Sequence, residues 1–168
     1  AWDKLYKASL YENIRFPVGE INEDEAIAIH LLGECERVSY KNEVFYHYIK
    51  TESSGSITMS GFSKKTLAWQ KHCADNLKII QSKYPEIEKD AALRYRNSLL
   101  WSLTEIALSN SEEDFSEDIS FLMKRLKENK KLLFSAGHFC KTDAIRMRVL
   151  LIFGFGFYKK AIRMKRGK

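Results

Sequence analysis

Three short stretches carry the residue types from which chemistry can be built. Glu23-Asp24 opens a helical pattern. Main-chain amides at a helix start hold a carboxylate, and an adjacent acid tunes its charge, so the pair is placed to act as a general base. Trp2-Asp3-Lys4-Leu5-Tyr6 sets an aromatic ring two residues from a cation, a pair able to stack on a ligand or touch phosphate. Ser53–Thr58, with Lys50 before it, combines hydroxyls, main-chain amides and a cation, the parts of a phosphate cradle. Each has a commoner, plainer role. Acids in a first turn offset the helix dipole, tryptophans mostly pack, and Ser/Gly-rich runs are mostly solvated loops. One at a time, none decides a function.

Metal chemistry finds no footing in the spacing. Cys35, Cys73 and Cys140 are far apart, and His30, His47, His72 and His138 complete no zinc pattern with them. Three unpaired cysteines suit a reducing compartment.

The elements that position these residues follow from periodicity. Asn22 with Glu25 reads as a capping box opening a helix to about Glu34, with Ile27, Leu31 and Cys35 on one face. Val38–Lys50 alternates as one or two strands. After the loop at Thr51–Ser56 the chain is helical: Ser63–Lys83, then Pro85 to about Asn110, then Phe115 to about Lys131, then Lys141–Ile152. The fold class expected is mainly α, an α/β piece over residues 1–60 followed by a helical bundle over residues 61–168, with the boundary between 58 and 63.

Composition agrees with a packed, helix-rich chain. Among 168 residues, 45% are hydrophobic and 30% charged, with two prolines and eight glycines. Disorder and collagen-like repeats are excluded. Net charge is +6, but six of the 28 cations lie in Lys159–Lys168, which leaves 22 cations against 22 acids elsewhere. A nucleic-acid-binding domain spreads its basic stripe over a folded face, so the basic end argues against nucleic acid as a partner. Val149–Tyr158 is largely apolar and leads into those cations. Such a run suits an interfacial anchor at a membrane surface, through residues 149–168, and suits equally a last helix packed on the bundle.

The order of the motifs says more than any one of them. Trp2-Asp-Lys-Leu-Tyr-Lys7, Ile14-Arg-Phe-Pro-Val-Gly19, Asn22-Glu-Asp-Glu25, Phe45-Tyr-His-Tyr-Ile-Lys50 and Ser56-Ile-Thr58 follow one another with family-like gaps. Together they resemble the second half of the catalytic domain of bacterial family 2 glycosyltransferases, which are inverting enzymes of the GT-A fold. The resemblance covers about residues 1–58.

That resemblance implies a hexosyltransferase-like activity in a longer parent. The parent would move a sugar from a nucleotide-diphosphate donor to a glycan or lipid-linked acceptor, in the synthesis of cell-surface or capsular polysaccharide. Asp24 takes the place of the catalytic base, supported by Glu23. Trp2 and Lys4 fall at the edge of the site, and Ser56 and Ile57 in the loop that closes over it. The family's Arg after its Tyr-x-Tyr is Ile49 here, which passes the cationic role to Lys50. The donor-binding βαβ half and its Asp-x-Asp are absent from this sequence, so the divalent cation (Mg or Mn) is expected in the parent alone. This chain by itself is expected to be an inactive fragment, cytoplasmic or peripheral at the inner membrane face, with a truncated sheet edge that favours self-association. The rival reading is a non-enzymatic helical adaptor or nucleic-acid-binding module.

Overall fold

The computed structural model describes residues 3–47, 49, 62–110, 114–137 and 140–167. Six α-helices form among them: α1 (Glu23–Gly33), α2 (Leu67–Lys83), α3 (Glu88–Leu108), α4 (Ser116–Glu128), α5 (Lys130–Ser135) and α6 (Lys141–Lys165). Short 3-10 turns lead into α2 and α3, the second opened by Pro85, whose missing N–H costs nothing at a helix start. The mainly α class stands, and no strand forms among the described residues.

Helix α3 is the axis of the bundle. Ala92, Leu99, Leu103 and Ala107 are completely buried, and Tyr95, Leu100 and Ile106 nearly so. Residues at these spacings wrap most of the helix circumference. Helices α2, α4, α5 and α6 all pack on it. Small residues at Ser98 and Ser102 let α2 approach closely, and their polar atoms are satisfied: Ser98 Oγ donates to the Tyr95 carbonyl at 2.7 Å, and Gln70 bonds Ser102 Oγ. Thr104 and Tyr158 share a buried hydrogen bond of 2.6 Å that ties α3 to α6. Arg96, fully buried, donates to the Leu133 carbonyl at 3.3 Å and so holds α5 to the same axis. Burial pushes its pKa down, the charged form losing its hydration.

Helix α1 joins the bundle by packing on α2. Its last residue, Gly33, lies close against the α2–α3 corner: a Cβ there would stand 2.7 Å from the Tyr84 hydroxyl, which would have to shift. The expected boundary between 58 and 63 falls mostly outside the described residues.

Three expectations are corrected. The strands expected at Val38–Lys50 do not form over 38–47 and 49. A strand needs a neighbour for its main-chain donors and acceptors, and the apolar side chains of this stretch, from Val38 to Ile49, lie exposed. The capping box at Asn22 is absent. Asn22 adopts a left-handed conformation with no side-chain cap bond, and Glu25 is drawn away to Arg94. The last helix does not stop at Ile152. Gly154, at φ 78 and ψ 177, breaks the helical path for one residue, and the helix resumes to Lys165. Tyr158 holds the second half on its inner side, and Arg163 donates to the carbonyls of Ala107 and Ser109 at 2.8 and 2.6 Å.

The central role of α3 has a measurable consequence. Leu99→Ala should cost about 3 kcal/mol in urea unfolding, because every neighbouring helix is held and the hole cannot close. A loss below about 1 kcal/mol would show that the bundle does not rest on this helix.

Candidate functional site

The segment that enters α1 is placed by two left-handed residues. Gly19, at φ 78, turns the chain after Pro17-Val18, and Asn22, at φ 56, starts the helix. Between them Glu20 reaches α2. Its Oε1 is 3.2 Å from Lys71 Nζ, and its Oε2 is 3.1 Å from Nε2 of the buried His72. The latter contact lies off the imidazole N–H axis, so it is an ion pair when the ring is protonated rather than a hydrogen bond.

One turn on, Glu25 accepts from Arg94 Nε at 2.8 Å and Nη2 at 2.6 Å, while its main-chain carbonyl accepts from Asn76 Nδ2 at 2.8 Å. The guanidinium of Arg94 lies 5.4 Å above the Trp69 ring, and Trp69 meets Trp101 edge-on at 5.6 Å. Hydrogen bonds donated to Glu25 hold Arg94 protonated even more firmly than usual, with Asp24 adding to the field. Asp24 itself is half-buried, and its Oδ1 accepts the Glu25 N–H at 2.9 Å. Glu23 is exposed. The expected acid pair thus sits in a first turn bolted to α2 and α3 by its neighbour Glu25.

A cleft of about 530 Å³ opens at the segment leading into α1. Gly19 and Glu20 form one wall. The start of α2 supplies Lys64, Lys65, Ala68 and Lys71, and the start of α4 supplies Glu117, Asp118 and Phe121. Asp114 accepts the Ser116 N–H at 2.8 Å and so orients the first turn of α4. The cleft brings cations at one helix start opposite acids at another, over an aromatic ring. Most of the surface that these side chains give the cleft is apolar. The cleft's size is within the range of small-molecule sites.

Of the expected site residues, Glu23 and Asp24 share the first turn of α1. Asp24 stands with the Glu25–Arg94 cluster, while the carboxylate on the cleft wall is Glu20. Lys4 lies on the exposed surface with its ammonium 2.6 Å from Asp3 Oδ1. Trp2, Lys50, Ser56 and Ile57 lie outside the described residues. The sequence reading missed Glu20, Lys64, Lys65, Lys71, Arg94 and Phe121. One signal was there: Lys64-Lys65 precede a helix with no acid in its first turn, the reverse of what the dipole favours. Nothing in the sequence linked Glu25 to Arg94, 69 residues on.

Among the described residues no group of three or more His, Cys, Asp or Glu is arranged to hold a metal ion.

Compared with curated proteins, the chain is similar to the glycosyltransferase GlyA of Streptococcus pneumoniae serotype 4 (strain ATCC BAA-334 / TIGR4), at 25% identity over 162 residues. The alignment takes in 96% of this chain but 22% of that protein, so the chain spans about a fifth of the relative's length. It runs through the helices as well as the motif-bearing third. No protein-family model and no solved structure matches the chain.

Cys73 reports on this cluster. Burial, reinforced by the charge of Glu25, pushes its thiol from an ordinary 9.0 up to about 12. Below pH 9 both folded and unfolded chains keep the proton, so the thiol adds no pH dependence there. From about 9 towards 12 only the unfolded chain gives it up, and stability falls by as much as about 1.4 kcal/mol per pH unit. Urea melts at pH 8 and pH 10 should show this loss, and Cys73→Ala should flatten it. In the native state a maleimide should label the exposed Cys140 and spare Cys73. Equal labelling of the two would mean that the α1–α2 contact opens.

Proposed function

We propose that this chain is the C-terminal part of an inverting, GT-A type family 2 glycosyltransferase that acts in cell-surface glycan synthesis. The observation that carries the reading is the similarity to a protein named as a glycosyltransferase along 96% of the chain. The ordered motifs of residues 1–58 support it. So do the exposed apolar side chains at Val38, Tyr40, Val44, Phe45 and Ile49, an alternating, strand-like stretch whose partner strands belong to the rest of a catalytic domain.

In this reading the Asp24 carboxylate takes the proton from an acceptor hydroxyl as that oxygen attacks the anomeric carbon of the donor sugar. The bond from that carbon to the nucleoside diphosphate breaks, the diphosphate leaves with the electron pair, and the configuration inverts. Glu23 keeps negative charge beside the base. The cleft receives the acceptor glycan: Phe121 lies against a sugar face, and Lys64 and Lys65 donate to its hydroxyls. Trp2 and Lys4 line the edge on the donor side, Lys50 faces the diphosphate, and Ser56 and Ile57 close over it. The work is done in the cytoplasm, where nucleotide sugars are made, and the isolated chain transfers no sugar because it holds no donor.

The test uses the full-length parent. Asp24→Asn should lower turnover by about 10²–10⁴ while donor binding, read by titration calorimetry, stays near wild type. Turnover that survives Asp24→Asn and is lost in Glu20→Gln would move the base to the cleft wall. Sugar transfer by the isolated 168-residue chain would refute the assignment of the donor site to the rest of the parent.

A further inference from the structure

Helix α6 is apolar on two opposite sides. Met147, Leu150 and Tyr158 are all but fully buried on the inner side, where α6 packs on α3 and α4. On the outer side Ile145, Ile152, Phe153, Phe157 and Met164 are 52–80% exposed. Phe157, Lys160 and Met164 succeed one another by three and four residues, which places them on one stripe of the second half. The rings of Phe153 and Phe157 lie 4.9 Å apart, beside the break at Gly154. Large apolar side chains gathered on a second, outward side call for cover.

Charge selects what covers the outer side. From Ala144 to Lys168 the sequence holds eight cations and no acid. Two of the eight are engaged within the fold. Arg163 caps the end of α3, and Arg146 reaches Asp143 at 3.6 Å. Arg148, Lys160, Lys165 and Arg166 are exposed and have no carboxylate at ion-pair distance among the described residues. A second copy of this chain would set like charge against like charge. A nucleic-acid duplex would match the cations but would leave the tilted ring pair of Phe153 and Phe157 in water. An anionic bilayer offers both partners, phosphates at the surface and hydrocarbon beneath. No described helix is long and apolar enough to cross a membrane, so α6 lies in the plane of the surface.

We infer that the outer face of α6 docks this chain on an anionic membrane surface. Phe153 and Phe157 enter the boundary between headgroups and acyl chains, and Arg148, Lys160, Lys165 and Arg166 lie among the phosphates. The inference stands apart from the transferase reading, because it uses none of the α1 or cleft residues.

Vesicle co-sedimentation of the 168-residue chain tests it, with phosphatidylcholine vesicles compared with vesicles that also contain phosphatidylglycerol. The chain should sediment with the anionic vesicles alone, and added salt should release it. Phe153→Ser with Phe157→Ser should weaken binding about tenfold or more. Lys160→Gln, Lys165→Gln and Arg166→Gln together should weaken it about a hundredfold, roughly fivefold per cation. All these side chains are exposed, and circular dichroism should show wild-type helix content in both variants. Failure of the folded wild-type chain to bind anionic vesicles would overturn the inference, as would equal binding to neutral ones. So would a dimer in sedimentation equilibrium that the serine variant dissociates, or a DNA duplex bound equally by wild type and serine variant without any vesicle binding.

Discussion

Burial of one helix on nearly every side is the constraint from which the remaining arrangement follows. Interiors are close-packed, so each helix that touches α3 can shift only if its neighbours shift too. Polar groups on such a helix must find partners inside, and they do: Ser98 with its own helix, Ser102 with Gln70, Thr104 with Tyr158. The last two of these bonds also set the register of a neighbour. The same helix carries Arg94 at its margin, where the guanidinium reaches Glu25 and so positions the first turn of α1. A core constraint is thereby transmitted to the candidate base one residue away.

The site is built at helix ends because unpaired main-chain groups and helix dipoles are concentrated there. Asp24 and Glu25 sit in the first turn of α1, Glu117 and Asp118 in the first turn of α4, all favoured by the dipole. Lys64 and Lys65 before α2 are not favoured by it, and the acids of α4 across the cleft offset them. The Glu25–Arg94 pair is held in geometry more than in energy. Arg94 is 57% exposed, so water screens the attraction, and the stacking on Trp69 does as much to keep the guanidinium in place.

Two surfaces leave large apolar side chains in water, and they differ in kind. Val38, Tyr40, Val44, Phe45 and Ile49 lie exposed along an irregular stretch that pairs with no strand among the described residues. The outer side of α6 exposes such side chains on a helix already anchored by its inner side, among cations that have no acids to meet. The second asks for a charged, apolar-backed surface.

Periodicity in the sequence was enough to place α2, α3 and the start of α4, because a stripe such as Phe115, Ile119, Leu122 and Leu126 has one helical solution. Residue types at the helix start were enough, too, for the acid pair in the first turn of α1. The strand pattern at Val38–Ile49 misled, since alternation states which faces a strand would have and not whether a partner exists. The end of α6 was unreadable for a related reason: Gly154 and Gly156 look like breakers, and only Tyr158 and Arg163, docked on residues some 54–56 positions earlier, pull the chain back into a helix. Local residue types thus determined which segments coil and where acids gather. Which carboxylate meets the cleft, which cation holds Glu25 and which side of α6 faces outward were decided by contacts between residues far apart in the chain, and no local pattern encodes those.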